Sequence, residues 1–481
     1  MQENIPLCRI NQLKLFNKSG KQIINRKDDN VLNIESLAVN LPEDIQNLVT
    51  YGDFEGARRL IDLKLKKNIG NMLKDRLIFE KERLKRLETE YIYPFEEALK
   101  LAASEIKDFT REELESLKDE GYADWAFVNG KLMFHRRFLE NIKKTLPKIK
   151  GRLINSDENS DKESDILNAT VKNIIEQGQK SYYIHVKTGV KLKKEAERVG
   201  ETVRVYLPIP TAEKGIKNIK ILSTSHEPAF ISPEYHPART VYFEENLKGG
   251  DVFTVEYSYE NHVSYTKLDY NEVKALQPDF YTDELLPHIA FTPYLKNLAA
   301  KIVGCEKNPL KKARMIYDYI TLNVKYSYVR SYSTILNISE YAALNLKGDC
   351  GVQALLFITL CRIAGVPAKW QSGLYVNPHR IGCHDWAQFY VEPYGWLYAD
   401  PSFGAGALRK GSSEVWDFYF GNIDPFRMPA NSEFQQEFTP KKAFLRSDPY
   451  DNQVGEIEYA DGNVYSDDFE SMMEIIDIHE I

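Results

Sequence analysis

The sequence predicts a multi-domain α+β protein, and three changes of period along the chain predict it. An apolar period of helical type runs from about Leu41 to Gly151, a period of two from Tyr182 to about Leu268, and a helical period again from Thr292, soon followed by strand-like runs. A chain of 481 residues has room for roughly three domains at about 150 residues each. The expected order is a mostly helical N-terminal region with a small hairpin over 1–154, a linker and short helix over 155–180, and a β-sandwich over 181–270. A helix-and-strand domain over 285–405 follows, and an extension over 406–481 wraps it.

In the first region Asp53 is placed as an N-cap ahead of FEGARRLIDLKLKK. Leu73, Leu77, Leu84, Leu87 and Tyr91 share one helical face, with Lys, Arg and Glu on the other. Pro94 opens the next helix, where the first turn tolerates a missing N–H. Thr110 and Glu113 have the spacing of a capping box. Asn129-Gly130 between AFV and KLMFH is a hairpin signal. The region carries charged faces and no chemistry, so its expected role is structural or the docking of a partner protein. The polar run NSDENSDKES from Asn155 to Ser164 reads as an exposed loop or linker.

The runs YYIHVKTGVKL, TVRVYLPIP, NIKILST, RTVYFE and DVFTVEYSYENHV are β-branched and aromatic, with turn clusters such as Gly249-Gly250 between them. Short strands at that spacing predict the sandwich. His185, His226, His236 and His262 are scattered within it and lack metal-ligand spacing. Further on, Thr292-Pro293 and Asn308-Pro309 each supply an N-cap followed by Pro at the first helical position. Ser339 to Lys347 reads as a short helix stopped by Gly348 in a left-handed conformation.

Chemistry concentrates in GDCGVQALLFITLCRIAG, from Gly348 to Gly365. Ala354, Phe357 and Cys361 recur at helical spacing, so the helix is expected to be buried on one side. Cys350 stands at its start, where free N–H groups and the macrodipole favour a thiolate. Cys361 falls mid-helix and reads as an inert core thiol. CHDWAQFYV and GWLYAD read as two strands around the turn Glu392-Pro393-Tyr394-Gly395. His384, Trp386, Gln388 and Tyr390 share one face of the first strand, and Trp396, Tyr398 and Asp400 one face of the second. His384 and Asp400 can meet on a common face, diagonally if the turn is centred on Pro393-Tyr394. Cys350, His384 and Asp400 have the order and type of a thiol triad of nucleophile, base and orienting carboxylate. The N–H of Cys350 is a natural oxyanion donor, with Tyr326, Tyr328 or Tyr332 as the second.

GDCGVQALLFITLCRIAGVPAKWQSG, then HDW, then GWLYADPSFG resembles the transglutaminase-like superfamily. The resemblance implies a papain-like fold over 285–405 whose catalytic triad is Cys350, His384 and Asp400. It implies a cysteine enzyme performing acyl transfer or hydrolysis at amide bonds of a peptide or protein, with no cofactor and no metal. A peptidase of the same fold and a non-catalytic scaffold that binds a partner are the alternatives. Gln388 stands where many members have Glu, and no calcium-loop signature is present, which argues against a cross-linking role like that of the calcium-activated enzymes.

Rival chemistry is weaker. A zinc site from Cys350, Cys383, His384 and Cys361 lacks paired-cysteine spacing. Cys383 points away from His384 and reads as packing. Gly404 to Ser412 lacks the pattern of a phosphate loop. Asp424, Arg427 and Asn431 either line the cleft or form ion pairs within a surface-wrapping tail, and the tail is favoured. Trp370, Trp386 and Trp396 are candidate cleft walls.

Composition sets the outer limits. The 63 Lys and Arg against 70 Asp and Glu give a net charge of −7, which disfavours nucleic acid as a partner. Five scattered cysteines argue against a disulfide-dense secreted scaffold. MQENIPLCRINQLKLF lacks the pattern of a signal peptide, and no run is long enough to cross a bilayer. The expected location is cytoplasmic, in which case the sequons at Asn17, Asn168 and Asn337 carry no meaning.

Overall fold

The structure, a computed structural model, describes residues 34–154 and 158–481. The leader reading of the first residues, with Cys8 and Asn17, lies outside them.

In the N-terminal region, helices Glu43–Thr50 and Phe54–Leu65 fold against the long helix Asn71–Glu90. Asp53 Oδ1 accepts the N–H of Gly56 at 2.8 Å and Thr110 Oγ1 that of Glu113 at 3.2 Å, so both caps form. Strands Trp125–Val128 and Lys131–His135 turn through Asn129 and Gly130 at φ 47° and 80°, the left-handed pair that a two-residue hairpin needs. The long helix buries more than its leucine face. Arg83 Nη1 donates to Thr334 O at 2.7 Å, and Arg86 Nη1 to Ser333 Oγ at 2.9 Å and Ser447 O at 2.8 Å. The guanidinium groups can be buried because two later loops offer them acceptors.

The polar run expected as a linker enters a helix at Glu158 and continues to Gln177. Val171 and Ile174, farther along, are buried in the main core and tie the charged helix down. A four-stranded antiparallel sheet then forms in the order Phe469–Glu480, Gln179–Leu192, Val252–Ser264, Ile216–Thr224. A five-stranded sheet runs Asn463–Val464, Glu456–Glu458, Thr202–Pro208, Thr240–Asn246, Phe230–Ile231. Val186, Val205, Phe243, Val255 and Ile457 belong to one core shared by the two sheets.

Helices Pro293–Val303, Pro309–Asn323, Ile338–Asn345 and Cys350–Ile363 cover a central antiparallel sheet. Its order is Phe420–Gly421, Gly395–Ala399, Arg380–Val391, Ala368–Asn377, Arg427–Asn431. Thr292 Oγ1 caps Leu295 N–H, and Asn308 Oδ1 caps Leu310 and Lys311. Two expectations are corrected here. The left-handed residue after Ile338–Asn345 is Leu346, at φ 49°, not Gly348. Gly348 pairs with Tyr326, and a Cβ on it would lie 2.2 Å from Val352 Cγ1, so glycine serves close approach rather than handedness. Helix Cys350–Ile363 is buried all round from Gly351 to Arg362, because it runs between the sheet and the other helices.

Candidate active site

Strand Arg380–Val391 sets Val391 opposite Gly395 and Ala387 opposite Ala399, so His384 and Asp400 stand diagonally. The diagonal is closed because Asp400 leaves its strand as the N-cap of helix Pro401–Arg409. Its Oδ1 accepts the N–H of Phe403 and the hydroxyl of Ser402, both at 2.9 Å. Its Oδ2 meets His384 Nε2 at 2.7 Å. One carboxylate is both the turn cap and the anchor of the imidazole.

Beneath this pair lies Arg427, 2% exposed. Its Nη1 donates to Asp400 Oδ2 at 2.9 Å, and its Nε and Nη2 to Asp424 Oδ2 at 2.9 and 2.5 Å. Tyr419 Oη and the N–H of Phe426 also donate to Asp424. Burial pushes the Asp400 carboxyl up, but His384 and Arg427 outweigh it and hold the group well below the usual carboxylate range. Burial pulls the His384 imidazole down, Asp400 pulls it up, and Arg427 helps leave it below the ordinary value. The ring is therefore neutral near pH 7, with its proton on Nε2 facing an ionised carboxylate and Nδ1 left as an acceptor.

The favoured reading of Asp424, Arg427 and Asn431 as a surface-wrapping tail is corrected. All three are buried, and Arg427 and Asn431 belong to a strand of the central sheet. Asn431 exchanges two hydrogen bonds with the backbone of Asn452 and so fixes the loop there.

Cys350 opens its helix behind Asp349, whose Oδ1 accepts the N–H of Val352 at 3.2 Å and the Tyr332 hydroxyl at 2.5 Å. Among the described residues the thiol's hydrogen bond goes to Asp385 Oδ2, at 3.3 Å, and not to His384. His384 and Asp400 are thus joined, and Cys350 has a different partner. The expected lowering of the thiol pKa is also corrected: burial first, then the charges of Asp385 and Asp349, push it well up despite the helix N-terminus.

No motif in the sequence marks Asp385, although it adjoins His384. Its Oδ1 accepts Gln453 Nε2 at 2.6 Å, and the same amide bonds the carbonyl of His384 at 3.0 Å. Burial, then Asp451 and Asp349, push its carboxyl well above the ordinary range. The N-terminal region also reaches the site. Asn141 bonds both backbone groups of Tyr328, Lys144 Nζ reaches the Tyr328 hydroxyl at 3.0 Å, and Arg137 lies 3.2 Å over the Tyr328 ring. No motif could have signalled contacts nearly two hundred residues apart.

Cys361 is buried, as expected, while Cys383 is exposed rather than packed. Trp370 and Trp386 are each 1% exposed and belong to the interior, so they are not walls of an open cleft. Trp396 packs with Phe280 and Tyr281.

Residues 296–401 match the family model of the transglutaminase-like superfamily. A Haemophilus influenzae protein described as uncharacterized is 26% identical over 194 residues, which cover 32% of this chain and 51% of the relative. The match thus spans about half the length of that curated relative. Among solved structures, one from Cytophaga hutchinsonii, described as a candidate cysteine protease, aligns at 14% identity with a TM-score of 0.38, covering 63% of this chain and 91% of that one. The periplasmic domain of TgpA from Pseudomonas aeruginosa aligns at 10% identity with a TM-score of 0.26, covering 51% of this chain and 95% of that one. The same domain bound to ethylmercury aligns at 12% identity with a TM-score of 0.25, covering 49% and 94%.

The cytoplasmic location expected from the sequence is corrected to no stated compartment: two of the similar solved structures are described as periplasmic domains. That expectation leaned on scattered cysteines, and free thiols such as Cys305 and Cys383 do not measure compartment. No helix among the described residues is long and apolar enough to cross a membrane. Residues 296–401 of this chain thus resemble the transglutaminase-like superfamily and lie within a larger mixed α+β protein.

Proposed function

We propose that this protein is a cysteine enzyme acting on an amide carbonyl of a peptide or protein, passing the acyl group through a thioester on Cys350 to water or an amine. The observation that carries this reading is the buried His384–Asp400 pair, with the imidazole neutral and its Nδ1 free as an acceptor. In the reaction the thiol turns from Asp385 toward the imidazole. Nδ1 takes the Sγ proton as sulfur attacks the carbonyl carbon, and the N–H of Cys350 receives the oxyanion. Tyr326 or Tyr328 serves as the second donor, since the Tyr332 hydroxyl is given to Asp349, whereas that of Tyr328 accepts from Lys144 and keeps its own proton. The imidazolium returns the proton to the leaving amine. Water or a second amine then attacks the thioester, losing its proton to Nδ1 and releasing the thiol.

On this reading residues 285–405 carry the catalytic residues, and the extension over 406–481 completes the central sheet with Phe420–Gly421 and Arg427–Asn431 and adds strands to the other two. Residues 181–270, with the strands from 456–480, form a β-sandwich, and the helical region within 34–154 braces Tyr326 and Tyr328. A non-catalytic scaffold is the second reading, favoured by the hydrogen bond that ties the thiol to a carboxylate.

The experiment is mass spectrometry of acyl-enzyme trapped from a peptide library, with and without an added primary amine. An acyl adduct on Cys350, absent in Cys350→Ala, is the expected result. Turnover that survives in Cys350→Ala, or adducts formed mainly on Cys305, overturns the assignment.

A further inference from the structure

We infer that Asp385 is a positioning residue of this site, which keeps the Cys350 thiol protonated and turned away from His384 until a substrate enters. The inference rests on the reading of Cys350 as the nucleophile.

Successive residues of a strand point to opposite faces, so the thiol that bonds Asp385 stands on the face away from His384, and the two side chains would have opposite effects on it. The neutral imidazole accepts the proton and releases a thiolate. When ionised, the Asp385 carboxyl accepts the S–H hydrogen bond and repels the thiolate. Strand Gly395–Ala399 pairs with Arg380–Val391 only from Ala387 onward, which leaves the edge at His384 and Asp385 unpaired on that side. Passage around this open edge, rather than rotation of the side chain alone, would bring the thiol from Asp385 to His384.

The Asp385 side chain is held where it is. Gln453 bonds both its Oδ1 and the carbonyl of His384, so one amide fixes the two residues together. The chain also leaves space for the carboxylate. A Cβ on Gly351 would lie 2.7 Å from Asp385 Oδ2, 2.3 Å from the Tyr332 hydroxyl and 2.9 Å from Trp370 Cη2. A side chain directly after the nucleophile would displace the carboxylate from the thiol.

The surrounding charges differ from those around Asp400. Arg427 and His384 both bond Asp400. Asp385 is faced by Cys350, by Asp349 from the helix cap, and by Asp451 from the later loop. Cys383 and Asp448 stand close by, and Tyr332 faces Asp349 and Asp385. The nearby cations act one step away, Arg446 on Asp448 and Asp451, and Arg137 on Asp349 and Cys383. Two carboxylates near one strand end thus do opposite work: one orients the base, and the other restrains the nucleophile.

The test is the rate of Cys350 alkylation by iodoacetamide as a function of pH, read by peptide mass spectrometry on the full chain. Asp385→Ala is expected to react at least about tenfold faster at pH 7, with its rate profile moved down by about one pH unit. Asp385→Asn keeps an acceptor without the charge and falls between, and Gln453→Ala gives a smaller gain in the same direction. Variants that stay folded by circular dichroism yet alkylate at the parent rate or slower overturn the inference. So does a parent thiol that already titrates near 8.5. Because alkylation needs no substrate, faster labelling without peptide turnover in any variant keeps the effect of Asp385 on the thiol but refutes the enzymatic reading, and with it the positioning role. Turnover with unchanged labelling does the reverse.

Discussion

Arg427→Met tests whether the imidazole–carboxylate pair depends on the guanidinium beneath it. The substitution keeps much of the apolar stem but removes three hydrogen bonds, one to Asp400 and two to Asp424. It also removes a cation enclosed by the rings of Phe403 at 4.4 Å, Tyr375 and Trp386 at 5.4 Å and Tyr419 at 5.8 Å. Two buried carboxylates then face each other without their shared counter-charge. Breaking a buried pair in this way costs about 3–5 kcal/mol. The loss should depend on pH with a definite sign. In the parent, the depressed Asp400 carboxyl contributes stability that is fully present above about pH 4 and is lost as pH falls through the folded value. In the variant the carboxylates take up protons more readily, so its deficit is largest near pH 7 and shrinks toward pH 4. Urea unfolding followed by tryptophan fluorescence reads this region, since Trp370, Trp386, Trp396 and Trp416 are four of the five tryptophans. Adding Asp424→Asn should recover about 1–3 kcal/mol, the coupling expected of groups in one network. A loss under about 1 kcal/mol at pH 7, or one that does not change with pH, refutes the reasoning.

Two further outcomes are expected. His288 is fully buried, accepts the N–H of Ile338 at 3.3 Å, and is pulled down to about 3 by burial. Its folded value lies below the unfolded one, so its contribution is complete above about pH 6.5 and is lost at about 1.4 kcal/mol per pH unit as pH falls toward 3. His288→Gln should flatten that limb in unfolding at pH 6, 5 and 4, and an unchanged slope refutes it. Gly351→Ala places a Cβ against Tyr332, Asp385 and Trp370 and should lower stability by about 1–3 kcal/mol in the same urea assay. A neutral result there means that the helix start has room the structure does not give it.

The local devices of this chain were legible because they are carried by neighbouring residues. Asp53, Thr110, Thr292 and Asn308 cap their helices through hydrogen bonds that span at most three positions. Asn129-Gly130 turns its hairpin for an equally local reason. The diagonal between His384 and Asp400 followed from strand parity and the position of one turn. Gly348 shows the limit of such rules: its place after a helix suggested handedness, whereas its packing against Val352 is a tertiary fact.

By itself, the sequence determined the mixed α+β character, the helix start at Cys350 and the facing of His384 toward Asp400, because period, caps and parity are local properties of a chain. Only the tertiary structure decided which carboxylate each reactive group meets. Arg427 reaches Asp400 from 27 residues away, Gln453 reaches Asp385 from 68, and Asn141 reaches Tyr328 from 187. Partners at such separations are chosen by how sheets and loops pack. The charge on the Cys350 sulfur follows from that packing, because the nearby charges of Asp385 and Asp349 and the loss of water outweigh the local field of its helix.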